Sequence, residues 1–230
     1  MNIRKISKSI NPLIKTIFFI SLIYSFVYQF YFLKIAELFY GASEFGIIMF
    51  NLSLAFIASF IFYFIAVHIP EYKNKEKATS IVRLKIVKLI NAQIEPTVQI
   101  YRNADIKLEK ENYSEEIFKQ VLSKLKPQNI SPPLYFLNKG DCNWLEYLYY
   151  YIKLSQIVIK EIYQFMPYLE LDLLLTLDKI ERCGYFEFFE VMKKATFTEP
   201  DLSVISSYYY EYIKLISELE EYLIKVIKNY

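Results

Sequence analysis

Two runs of the chain contain no Asp, Glu, Lys or Arg: Thr16–Leu33, 18 residues long, and Phe45–Pro70, 26 residues long. As helices rising about 1.5 Å per residue they would span roughly 27 and 39 Å. A hydrocarbon layer of about 30 Å needs about 20 apolar residues to cross it. Without water to satisfy free peptide groups, each run must be helical there. The pattern predicts a transmembrane hairpin over residues 1–70, with spans at about 14–33 and 46–68.

Beyond residue 70 the apolar positions recur at three–four spacing, the helical period. Ile81, Leu84, Val87 and Ile94 predict an amphipathic helix that Pro96 kinks or ends, as Pro70 ends or bends the second span. Ser114 is expected to cap a short helix to about Leu125, with Glu115 and Glu116 in its first turn. A loop through Lys126–Pro133 follows. Asp141 is expected to cap a long helix through Trp144, Leu148, Ile152 and Ile159 to about Phe165. Leu169–Arg182 reads as another helix, stopped by Cys183-Gly184. A short aromatic segment, Tyr185–Lys193, precedes Pro200, which suits the first turn of a last helix over about Asp201–Lys228. Lys214 with Glu218 and Glu221 with Lys225 then form solvated pairs on it. The expected fold class is all-α: an N-terminal two-helix transmembrane hairpin followed by a cytoplasmic bundle of four or five helices over 71–230.

Composition agrees with long helices, since only 4 of 230 residues are Gly. Rings cluster at Tyr147 with Tyr149–Tyr151, at Tyr185, Phe186, Phe188 and Phe189, and at Tyr208–Tyr210. So many neighbouring rings cannot all share one core face. Core packing and an AT-rich coding bias account for most, and those left outside suit a protein-binding surface or stacking on single-stranded nucleic acid. Tyr24, Tyr28, Tyr31, Tyr40 and Tyr63 include candidates for interfacial aromatic belts. The net charge of +2 gives no whole-chain attraction for nucleic acid.

The charges are nevertheless sorted. Arg4, Lys5, Lys8 and Lys15 precede or open the first span, while the connection offers Lys34 against Glu37 and Glu44. Lys73, Lys75, Lys77, Arg83, Lys85 and Lys88 follow the second. Positive residues stay on the cytoplasmic side, so both termini are expected there. The basic juxtamembrane patch has three readings: it fixes topology, attracts anionic lipid, or binds a phosphate backbone. The first apolar run exceeds a secretory signal core and a second span follows, which favours an uncleaved anchor.

Within the spans, Ser21, Ser25 and Gln29 fall four apart on one helical face, and Asn51, Ala55 and Ser59 do the same. In an antiparallel hairpin Gln29 and Asn51 reach similar depth. This polar stripe either holds the hairpin together or faces other copies and lines a polar path in a homo-oligomer. Neither span carries an ionisable residue except His68 at its edge, which argues against a selective ion pathway. That single histidine leaves no Ser-His or Cys-His pair for the remaining chain. Cys142 and Cys183 have no ligand spacing, and pairs such as Asp172/Asp178 or Glu187/Glu190 read as solvated helix faces. The expectation is a non-enzyme with no cofactor and no metal.

The plan of a Lys/Arg start, a hairpin, the exit Phe62-Tyr63-Phe64-Ile65-Ala66-Val67-His68-Ile69-Pro70-Glu71 and a helical region resembles small two-span effectors of bacterial anti-phage defence. These include effectors encoded beside retron reverse transcriptases. Phe165-Met166-Pro167-Tyr168-Leu169 followed by Leu173-Leu174-Leu175 is similar to a turn in such proteins. The resemblance implies a multi-pass inner-membrane protein held quiet by a partner, such as a reverse transcriptase–nucleic acid complex or another sensor. Its release would disrupt the membrane and abort infection. The alternatives are a non-toxic anchor that recruits a soluble partner, and a transporter accessory subunit.

Overall fold

A computed structural model describes residues 3–35, 39–107, 114–129, 142–192 and 197–228, and side chains from residue 6 to residue 225 within them. Among these residues the fold is all-helical, without strands. Packing divides the chain into two compact units, Met1–Lys77 and Ala78–Tyr230.

The first unit opens with α1 (Ile3–Lys8) and α2 (Pro12–Phe30). Asn11 caps α2, its side chain accepting the Leu13 N–H at 2.9 Å, and Pro12 fits the first turn, where no amide donor is needed. A 3-10 turn (Phe32–Lys34) follows. Gly41, at φ 86°, then turns the chain into α3 (Ala42–Tyr63) through a left-handed conformation that a side chain would strain. Both helices contain windows long and apolar enough to cross a membrane.

α2 and α3 pack antiparallel. Phe18 stacks on Phe60 at 4.3 Å and Tyr28 on Phe50 at 5.2 Å. The Tyr28 ring lies so close to Gly46 that a Cβ there would sit 2.5 Å from a ring carbon. Tyr28 is therefore buried in the seam, not placed in an interfacial belt, whereas Tyr31 and Tyr40 at the turn are exposed. The serine hydroxyls stay within their own helices: Ser25 donates to the Ser21 carbonyl and Ser53 to that of Met49. An aromatic–glycine seam thus joins the pair.

Helical structure continues from α3 through a π turn (Phe64–His68) into α4 (Ile69–Asn103). Pro70 and Pro96, expected to end or bend helices, are both accommodated. A proline ring crowds the carbonyl four residues back, and a widened turn relieves that crowding. At Pro70 the widened turn lies directly upstream. At Pro96 the helix runs on to Asn103.

The second unit comprises α4 from Ala78 onward, α5 (Glu115–Ser123), α6 (Trp144–Tyr163), α7 (Leu171–Glu181), α8 (Gly184–Met192) and α9 (Ser206–Lys228). Among the described residues that is one helix more than expected, because the short aromatic segment is itself helical. α9 is the central element. Tyr209 meets Phe118 of α5 edge-on at 5.8 Å, and Tyr212 stacks on Tyr185 of α8 at 5.3 Å. Ile86, Leu89, Ile100, Leu148, Ile159, Leu177 and Leu219 fill the space between helices.

Hydroxyls inside this unit are hydrogen-bonded to one another. Thr97 Oγ1 donates to the Gln93 carbonyl at 2.9 Å and accepts from the Gln93 amide at 2.8 Å and the Tyr209 hydroxyl at 2.7 Å. Ser155 likewise donates to the Tyr151 carbonyl and accepts from Tyr212. Burial holds Tyr147, Tyr185 and Tyr212 well above the ordinary phenol range, and lifts Tyr163 to about 12.

Several boundaries differ from expectation. Ser114 caps α5 as expected, through the Ile117 N–H. Asp141 lies outside the described residues; the cap of α6 is Asn143, in a reciprocal capping box with Glu146. Gly184 does not stop α7 but opens α8, where a Cβ would lie 2.6 Å from the Tyr208 ring. Pro200 precedes α9 by a 3-10 turn (Ser203–Ile205), which begins where Asp201 accepts the Ser203 N–H at 2.8 Å. The expected Lys214–Glu218 pair is replaced: Lys214 lies over the Tyr210 ring and Glu218 faces Lys179 at 3.9 Å.

Candidate functional site

The two polar stripes of the first unit have different surroundings. On α2, Ser25 is buried, Ser21 half-buried and Gln29 exposed. Gln29 borders a groove of about 250 Å³ with Leu22, Ser25, Phe26, Phe50 and Leu54. On α3, Asn51, Ala55 and Ser59 are all exposed. The α3 residues that meet α2 are Gly46, Phe50 and Phe60, with half-buried Ser53 and Ile57 alongside. Asn51 is one residue on from Phe50, about 100° around the helix.

The expected Gln29–Asn51 amide pair is therefore not formed. Neither side chain has a hydrogen-bond partner among the described residues. The hairpin is closed by rings against Gly46, with the Tyr24 and Tyr28 hydroxyls donating to the Gly46 and Ser43 carbonyls at 3.4 Å, and not by Gln29 and Asn51. The spacing of Gly46, Phe50, Ser53, Ile57 and Phe60 was the sequence signal for that seam. The Asn51–Ala55–Ser59 stripe points elsewhere.

His68 has a partner that sequence reasoning missed. Its Nε2 lies 3.0 Å from Ser9 Oγ and 3.2 Å from the Ile6 carbonyl. A carbonyl only accepts, and the Ser9 hydroxyl already donates to Ile6 O at 2.7 Å, so Nε2–H is the donor to both. The His68 ring lies 6.0 Å from that of Phe64, and Ile6 and Ile10 are buried. A lone Ser nearly sixty residues upstream carries no periodic signal, which is why it escaped notice.

The basic residues fall in both units. Lys73, Lys75 and Lys77 are exposed in the first. In the second, Lys88 is exposed and Arg83 half-buried, while Lys85 binds Glu161 at 2.6 Å. That hydrogen bond, with Lys88 nearby, holds the Glu161 carboxyl below its ordinary range. Lys85 is thus already engaged by protein.

Several other titratable side chains are packed or paired. Cys142 and Cys183 are buried and form no disulfide, and burial lifts the Cys183 thiol to about 11. Asp178 pairs with Arg182 at 3.0 Å and Glu190 with Lys153. Among the described residues, no three His, Cys, Asp or Glu side chains converge as a metal site. Most clustered rings enter the core: Tyr147, Tyr185, Phe186, Phe189 and Tyr209 are buried, and of Tyr208–Tyr210 only Tyr208 is exposed.

No protein-family model, curated protein or solved structure matches this chain.

Proposed function

We propose that the chain is a two-span inner-membrane effector of bacterial antiviral defence, with both termini cytoplasmic. A partner complex holds it quiet through the helical bundle, and release lets its hairpins breach the bilayer. The observation that carries this reading is the exterior of the helix pair. Phe19, Ile23, Phe26, Phe45, Ile48 and Phe62 are exposed there, and one uncovered polar face, Asn51–Ala55–Ser59, lies among such side chains. Soluble helices bury large apolar residues, whereas lipid-facing helices display them. A polar face uncovered in lipid suits assembly of several hairpins.

The test is expression with the neighbouring genes, followed by phage challenge in a membrane-impermeant dye. Dye entry preceding cell arrest is expected; survival without dye entry rejects the effector reading. A second reading, an anchor that recruits a soluble partner, is favoured by exposed Met166, Leu171 and Leu175 around the start of α7. Replacing the hairpin with an unrelated two-span anchor separates the two. An anchor tolerates the exchange and an effector does not.

A further inference from the structure

We infer that the Asn51–Ala55–Ser59 face of α3 is a self-association surface whose occupant is the same face of a second copy. This rests on the membrane placement proposed above for α2 and α3. The structure shows that α2 takes a different face of α3, so this one stays open after the hairpin has closed. Asn51 lies within a 26-residue run free of charged side chains. Its carboxamide offers two donors and an acceptor, and none has a partner in the chain among the described residues. Hydrocarbon supplies neither donors nor acceptors, so the amide gains by meeting another polar side chain at its own depth.

The identity of that side chain follows from symmetry. Two copies inserted the same way are related by an axis along the membrane normal, so each residue has its twin at the same depth. Asn51 then meets Asn51, and an amide is complementary to itself. One and two turns along, Ala55 and Ser59 present small side chains four apart, which lets the two backbones approach closely. Aromatic neighbours would hold them apart; on this face the first large ring is Phe62, 70% exposed. Gln29 is the other unpartnered amide of the pair, but it borders a groove walled by Phe26, Phe50 and Leu54, which obstruct helix-to-helix approach.

Full-length protein labelled with donor and acceptor dyes, in phosphatidylcholine vesicles at a series of protein-to-lipid ratios, provides the test. Energy transfer above that of random mixing is expected for the native chain. Asn51→Leu should weaken association about tenfold, a hydrogen-bond-sized effect. Ala55→Ile should weaken it further, while Asn51→Gln and Gln29→Leu should leave it near native. Asn51→Leu only increases apolarity, so insertion persists and far-ultraviolet dichroism checks helicity. Native-level association of Asn51→Leu, or equal weakening by Gln29→Leu, overturns the proposal. Loss of association with dye entry retained would leave the effector reading intact and show that this contact is dispensable. Association without dye entry would keep the interface and reject the effector.

Discussion

The two units use the same kinds of side chain in opposite ways. In the first, most Phe and Ile side chains of α2 and α3 are exposed, and the seam between them holds Gly46, Ser25, Tyr28 and the half-buried rings of Phe18, Phe50 and Phe60. In the second, Phe186, Trp144, Leu148 and Tyr209 are buried, and inward hydroxyls are tied to one another. The difference shows that apolar content does not define an interior. On the membrane placement proposed above, the two media account for the contrast: water gathers apolar groups inside, and hydrocarbon lets them face out.

That contrast is most exposed to test in alkali. Burial raises the pKa of Tyr147, Tyr163, Tyr185 and Tyr212 in the folded second unit. The folded state thus holds protons that the unfolded state gives up near pH 10, so stability is intact below that value and falls as pH rises beyond it. Exposed tyrosines should ionise near pH 10 with the fold intact, and a further tyrosinate step at higher pH should coincide with the change in Trp144 emission. Tyrosinate formation that runs to completion with Trp144 emission unchanged would contradict the burial described.

Core truncation comes next. Phe186→Ala should cost about 3–5 kcal/mol in denaturant, read by the emission of Trp144, the protein's one tryptophan. Ile23→Ala on α2 should leave the same transition within about 0.5 kcal/mol. Equal shifts would erase the distinction between the units. The smallest effect belongs to the hydroxyls. Thr97→Val strands the Tyr209 hydroxyl and Gln93 amide and should cost about 1–3 kcal/mol. Ser25→Ala, whose hydroxyl bonds only to its own helix, should leave the helicity of the first unit in detergent unchanged.

Much of the secondary structure could be read from local rules. Ser114 followed by two glutamates, and apolar spacing through α6 and α9, name their elements because the deciding interactions lie within a few residues. The misreadings arose where a distant group decides. Gly184 resembles a helix stop until the Tyr208 ring arrives beside it from another helix. At α6 a nearer group decides, since Asn143 and Glu146 complete a reciprocal capping box. The Asn51 stripe was visible as a spacing, but its direction depended on which α3 face met α2, and that followed from Gly46 and Tyr28.

The π turn at Phe64–His68 also alters how the helix beyond it is numbered in space. It holds one residue more than an ordinary turn, so every position downstream is rotated by about 100° relative to a regular helical projection. A wheel drawn from Asn51 to Lys73 and Lys77 assigns those lysines to the wrong azimuth. Removing a single residue from this turn would act as a rotation instead of a truncation, swinging residues 70–77 about the axis while shortening the rod by about 1.5 Å.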